Sequence, residues 1–170
     1  NYFWEDGTRF IASGNREAFV QEFSQTFNED PKNVSNFLAN SALKYELTSP
    51  LFIEQSLHRF STYTSLKTLK AIVKLPSLDV HKTLFKTLKS YFKNPKSLQF
   101  FSRHATYNGS SPYKTPGIMS LIPHLEMHFG TFYPKGGMHE ISQSLFRLAE
   151  RQGVRFHLNE GVEEIVLSSD

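Results

Sequence analysis

Two histidines four residues apart, in His124-Leu125-Glu126-Met127-His128, share one face of any helix that carries them, the spacing of paired zinc ligands. The metalloprotease pattern, however, sets its glutamate directly after the first histidine. Glu126 stands one position later and points elsewhere, and no third ligand is near, so no metal site is expected. His139 beside Gly136-Gly137 reads as an ordinary polar residue. No Ser/His/Asp arrangement or nucleophile elbow is present. Without cysteine, the chain has no thiolate nucleophile, disulfide or cysteine-ligated metal. No catalytic acid or base is assigned.

Lysine forms a second pattern. From Ser65 to Lys96 there are eight lysines against one acid, Asp79. Wound as a helix, Lys82, Lys86, Lys89 and Lys93 share a face opposite Leu84, Phe85, Leu88 and Phe92. That is a basic amphipathic helix, which suits either a solvated helix packed on the core or a helix lying on anionic lipid. A net charge of +3, with lysines not interleaved with arginine or a stacking platform, gives no nucleic-acid module.

The elements that must position these residues follow from length and composition. A chain of 170 residues fits one domain or one domain plus part of another, and 39% hydrophobic with 21% charged residues reads as globular. No stretch approaches the roughly 18–20 apolar residues of a membrane span, and the N-terminus lacks the layout of a signal peptide. Sixteen phenylalanines and seven tyrosines suit a core wrapped around something large and apolar, or simply an aromatic core.

Tyr2–Ile11 reads as a hairpin about Asp6-Gly7, the pair a two-residue type I′ turn prefers. Phe19, Phe23 and Phe27 mark a helix from about Arg16 to Phe27, and Asp30-Pro31 starts another, ending near Ser49-Pro50. Asn94-Pro95 opens a helix through about Thr106, and Gly117 to His128 forms one kinked at Pro123. The pattern then turns α/β. A short strand at Thr131–Tyr133 leads to the Gly136-Gly137 turn and to a helix with Ile141, Leu145, Leu148 and Ala149 on one side. Gly153 caps that helix, and strands follow at Val154–Leu158 and Val162–Leu167.

Thr106–Pro112, Leu121–Glu126, the run Tyr133-Pro134-Lys135-Gly136-Gly137-Met138 and Gly161-Val162-Glu163-Glu164-Ile165 together resemble the central part of phytoene desaturases and their relatives among FAD-dependent amine-oxidase-like flavoproteins. The match in order and spacing covers roughly the last 65 residues. The Asp6-Gly7 hairpin and Leu47–Pro50 extend it more loosely upstream.

The resemblance implies an α/β (α+β) fold in two parts. Residues 1–130 would form a mostly helical substrate-binding domain with a small β hairpin, and 131–170 the returning strand, helix and strands of a Rossmann-like FAD-binding domain. It implies an oxidoreductase that introduces C=C bonds into a long carotenoid precursor such as phytoene. Gly136, Gly137 and Met138 form the flavin-adjacent turn, and the Val162 backbone meets the adenine of FAD. Phe100, Phe101, Tyr107 and Phe132 are candidate lining residues of an apolar tunnel. Because the substrate lives in the bilayer, Lys82, Lys86, Lys89 and Lys93 become membrane-facing candidates, with the protein cytoplasmic and peripheral on the inner membrane face. No G-x-G-x-x-G fingerprint occurs in the chain, so it is expected to be inactive by itself, as a central piece of such a protein. A carotenoid isomerase or retinol-saturase-like flavoprotein is the alternative within the superfamily. A non-catalytic, lipid-facing helical module is the alternative outside it.

Overall fold

Phe19, Phe23 and Phe27 recur every fourth residue because they are the buried stripe of α1 (Arg16–Phe27), each at most 1% exposed. The Asn15 side chain caps this helix by accepting from the Ala18 amide, and Asn28 ends it at φ +52, a left-handed position asparagine tolerates. A computed structural model describes residues 1–52, 58 and 78–167. The chain is α+β and divides into two units, Asn1–Thr131 and Phe132–Asp170.

The first unit begins with β1 (Tyr2–Phe3) and β2 (Arg9–Phe10), antiparallel with Tyr2 opposite Phe10. The hairpin forms, but residues 4–8 make a five-residue loop in place of the two-residue turn expected at Asp6-Gly7. Trp4 donates to the Thr8 carbonyl and Gly7, at φ +83, donates to that of Trp4, so the chain reverses around Trp4. Phe10 reaches the core and stacks edge-on against Phe19, Phe23 and Phe100, 5.4–5.7 Å between centroids.

Helix α2 (Pro31–Phe52) starts at Asp30-Pro31 and runs through Pro50, beyond the expected stop. A proline so near a helix end forfeits one bond, to the carbonyl four residues back, and the last turn absorbs the loss. The lysine-rich helix is much shorter than its pattern: α3 spans only Leu84–Lys89, capped by Thr83. Lys82 precedes it, paired with Asp79, and Lys93 follows it. The local caps, not the period, set its length. Lys67, Lys70 and Lys74 lie outside the described residues. Among the described residues no helix is long and apolar enough to cross a membrane.

Helix α4 (Pro95–Ser102) is held against the end of α1. The buried Glu29 carboxylate accepts from the Lys93 and Asn94 amides, and Asn94 Nδ2 donates to the Phe27 carbonyl. This anchor aims Phe100 and Phe101 into the core and leads into the 3₁₀ turn Arg103–Asn108. The helix expected over 117–128 is helical throughout but irregular: 3₁₀ at Gly117–Leu121, α5 at Ile122–His124, and a π-turn at Leu125–Phe129 that ends at Gly130. Pro123, within the first turn of α5, resets the hydrogen-bond ladder between these pieces.

Gly117 is where this segment comes closest to the rest. Its amide donates to the Lys82 carbonyl, and a Cβ there would stand 2.3 Å from Thr87 Oγ1 and 2.8 Å from the Asp79 carbonyl oxygen. Gly117→Ala should therefore cost about 1–3 kcal/mol through overpacking, read as a lowered urea midpoint with unchanged slope. An unchanged midpoint would show that the contact is relieved at no cost.

In the second unit, Gly136 and Gly137 form the expected turn at φ +93 and +102, with the Gly137 amide donating to the Pro134 carbonyl. Helix α6 (His139–Arg151) follows. Gly153, at φ +86, donates to the Glu150 carbonyl and Val154 to that of Ala149, the paired bonds of a Schellman ending. The expected strands at 131–133, 154–158 and 162–167 are absent: these residues have no regular structure. A strand is stabilised by its ladder, and no partner is offered among the described residues. Phe156 instead stacks on Phe146 of α6, centroids 4.1 Å apart. None of the described residues of this unit is buried, and Val162, Ile165, Val166 and Leu167 are 80–88% exposed.

Candidate functional site

The first unit carries a half-open cavity of about 600 Å³. The aromatic rings of Tyr2, Phe19, Phe100 and Phe101, with Met127 and Phe129, line it together with a polar cluster of Arg103, His104, Tyr107 and Glu126. The helices that build the core also supply this wall. Helix α4 delivers Phe100 and Phe101 and the 3₁₀ turn after it delivers Arg103, His104 and Tyr107, while the π-turn brings Glu126 back toward them. Its approach is fixed by α2, where Ser41 Oγ donates to the Leu121 carbonyl and accepts from the His124 amide. Deeper in the same seam, the fully buried Lys44 ammonium lies 2.7 Å from both Asp79 Oδ2 and Ser120 Oγ.

Glu126 is the centre of the polar wall. Arg103 grips it through Nη1 at 3.1 Å and Nη2 at 2.5 Å, His104 Nε2 stands 3.2 Å away, and the Tyr107 hydroxyl donates to it at 2.8 Å. His104 Nδ1 lies 2.8 Å from the Phe101 carbonyl, so both ring nitrogens face oxygen acceptors. Burial alone would raise the Glu126 pKa, but hydrogen bonds from His104, Arg103 and Tyr107 outweigh it and hold the carboxyl well below its usual range. The hydrogen bond to Glu126, then burial, raises the Tyr107 pKa. The Arg103 guanidinium also stacks over the Tyr2 and Phe100 rings at 5.5 and 5.3 Å, fixing its plane.

Phe100, Phe101 and Tyr107 therefore border one cavity, the two phenylalanines buried and Tyr107 63% exposed. Phe132, 86% exposed, belongs to the second unit. The polar wall was not anticipated. Glu126 drew notice only as a misplaced zincin glutamate, and its partners lie on a different element, a tertiary contact without a local signature. His124 and His128 stack ring on ring at 4.8 Å, beside Tyr45 and Phe129.

Gly136, Gly137 and Met138 sit together at the start of α6. The helix has no side-chain cap at that end; its Glu140 and Ile141 amides donate to the Gly137 and Met138 carbonyls, and both glycines hold φ values that other residues resist. Val162, 82% exposed and in no strand, leaves its backbone polar groups available. Lys82, Lys86, Lys89 and Lys93 are exposed.

The whole chain, residues 1–170, matches the model of the family described as flavin containing amine oxidoreductase. It is 53% identical over 97% of its length to a 1-hydroxycarotenoid 3,4-desaturase of Flavobacterium sp. strain P99-3. A 4,4'-diapophytoene desaturase (4,4'-diapolycopene-forming) of Methylomonas sp. is 25% identical over 98% of the chain, and a phytoene desaturase of Neurospora crassa 27% identical over 98%. The chain spans about a third of these curated relatives, 34%, 32% and 28% of their lengths.

Proposed function

We propose that this chain, which belongs to the flavin containing amine oxidoreductase family, forms the substrate-holding part and one edge of the flavin-holding part of an FAD-dependent carotenoid desaturase. The observation that carries this is the 53% identity to a 1-hydroxycarotenoid 3,4-desaturase, which runs through both units of the chain. The cavity supports it, since a large space with an aromatic side accommodates part of a polyene hydrocarbon.

When bound, FAD supplies the acceptance of a hydride that conversion of a C–C single bond to a double bond requires. The chain's own residues bind, orient and exclude water. Gly136, Gly137 and Met138 would hold the flavin at the amide end of α6, and the Val162 backbone would meet its adenine. Phe100 and Phe101 pack along the polyene. In the full-length protein, the exposed Val162–Leu167 segment pairs with strands outside this chain into a Rossmann-like sheet, which covers its apolar side chains. Lys82, Lys86, Lys89 and Lys93 face anionic lipid on the inner membrane surface, from which a bilayer-dissolved substrate is collected.

The full-length protein, purified, should show a flavin spectrum. Produced in cells that accumulate a carotenoid precursor, it should shift their pigment to longer wavelength. Flavin-loaded protein that leaves the pigment unchanged would overturn the activity. Flotation with anionic vesicles undiminished by changing the four lysines to glutamate would overturn the membrane contact.

A further inference from the structure

The cavity has a buried floor, which includes Phe19, Phe100, Phe101 and His104, and an exposed rim. Ala12 and Gly14 form part of that rim. Another part is His128, Phe129, Gly130 and Thr131, at the end of the π-turn and just beyond it. With Glu126 and Met127 these supply a third of the lining residues, so a shift of this one segment reshapes the cavity. Little holds it in place. None of Leu125–Phe129 is buried. Among the described residues, every hydrogen bond that ties Leu125–Gly130 to another element is made by the Glu126 carboxylate, with Arg103, His104 and Tyr107. The remaining contacts are apolar and can slide: Met127 packs against the core, and the Phe129 ring lies edge-on to Tyr45 of α2. The two ends of the segment differ. Before it, the His124 amide is fixed to Ser41 Oγ. After it, Gly130 stands at φ +84 and ψ 168, a conformation that residues with a Cβ scarcely reach. A π-turn between a fixed point and a glycine joint is a place where backbone can rearrange.

We propose that Leu125–Gly130 is a lid on the substrate cavity and that Glu126 is its latch, a positioning residue that holds Met127, His128 and Phe129 closed over the ligand. A bidentate pair has one geometry, so the latch is either made or broken. Made, it keeps the rim narrow and water out of the cavity. Broken, it lets the segment turn between the Ser41 anchor and Gly130 and admit a stiff polyene that cannot bend past a fixed rim. The assignment rests on the reading that a carotenoid occupies this cavity, and Glu126 takes no part in the chemistry itself.

The chain carries its own probes, three methionines at 119, 127 and 138. Met127 is on the lid, Met119 is equally part-buried on the 3₁₀ segment Gly117–Leu121, and Met138 is exposed in the second unit. The full-length, flavin-loaded protein is treated with hydrogen peroxide, which converts a reachable thioether to its sulfoxide, and the three sites are followed by peptide mass spectrometry. Glu126→Gln should oxidise Met127 about tenfold faster than the natural protein, with Met119 and Met138 within about twofold of their natural rates. A bound carotenoid should slow Met127 alone in the natural protein. Glu126→Gln should also speed carotenoid uptake and release together, so that affinity changes less than either rate, which simple loosening of the fold would not produce. Arg103→Lys keeps the charge and loses the fork, so it should shift Met127 in the same direction, and it decides the matter where Glu126→Gln fails to fold. Met127 unchanged, or Met119 accelerated with it, overturns the lid. A selective Met127 effect that carotenoid does not suppress supports the lid and overturns the carotenoid reading of the cavity.

Discussion

Asp79→Asn is expected to destabilise the chain by about 3–5 kcal/mol at neutral pH, because it strands an ammonium group in the core. Lys44 is fully buried, and among the described residues its charged partner within bonding distance is Asp79 at 2.7 Å, with Ser120 Oγ as the neutral third member. Asparagine keeps the shape and tolerates the left-handed φ of +53 at this position, so the loss isolates the charge. Removing the other partner should be milder. Lys44→Met leaves Asp79 with Lys82 at 3.3 Å and a side chain 14% exposed, so its charge is neither unpaired nor dry.

The two substitutions should also differ in pH dependence. Burial would raise the Asp79 pKa, but Lys44 and Lys82 outweigh it and the net shift is downward from 3.8. A depressed carboxyl stabilises the fold above its unfolded value, and that contribution disappears as pH falls through the folded one. Urea midpoints of the natural chain should therefore decline below about pH 4, whereas those of Asp79→Asn should decline less. Burial lowers the Lys44 pKa even with its partner present. In the variant that depression deepens, so its stability should recover as pH rises into the alkaline range. Equal midpoints for Asp79→Asn and the natural chain at pH 7 would show that Lys44 is not a confined charge.

What could be read ahead in the chain was what neighbours in sequence decide. The four-residue repeat of phenylalanine found α1, Asp30-Pro31 found the start of α2, and Gly153 found the end of α6, because caps and stripes are local. Local signals failed where a distant partner decides. The apolar run Val162–Leu167 has strand composition but no ladder, and Lys82–Lys93 has helical period but a helix only from Leu84 to Lys89. The polar wall is the clearest case. Arg103 and His104 are unremarkable until the π-turn brings Glu126 among them. The family resemblance named Tyr107 as a candidate lining residue but not its partners Arg103, His104 and Glu126.

Glu126→Gln should be the most costly single change at that wall, at about 2–3 kcal/mol. An amide replaces one accepting oxygen by a donor, so Arg103 loses half of its bidentate grip, and a donor is forced toward a donor. His104 and Glu126 side chains are 2% and 21% exposed, so water reaches this contact poorly, whereas Arg103 at 32% keeps some solvent and moderates the loss. The pH signature follows from the depressed Glu126 carboxyl. Its contribution is complete above the usual 4.5 and is lost as pH falls through the folded value, so the gap in stability between the two proteins should be widest near neutrality and close progressively in acid. A second readout separates this network from generic loosening. The hydrogen bond to Glu126 is the first cause of the raised Tyr107 pKa, so the variant should begin to form phenolate at lower pH, seen as an earlier rise in the ultraviolet titration. A variant that is destabilised but titrates like the natural chain would mean that Tyr107 does not donate to Glu126.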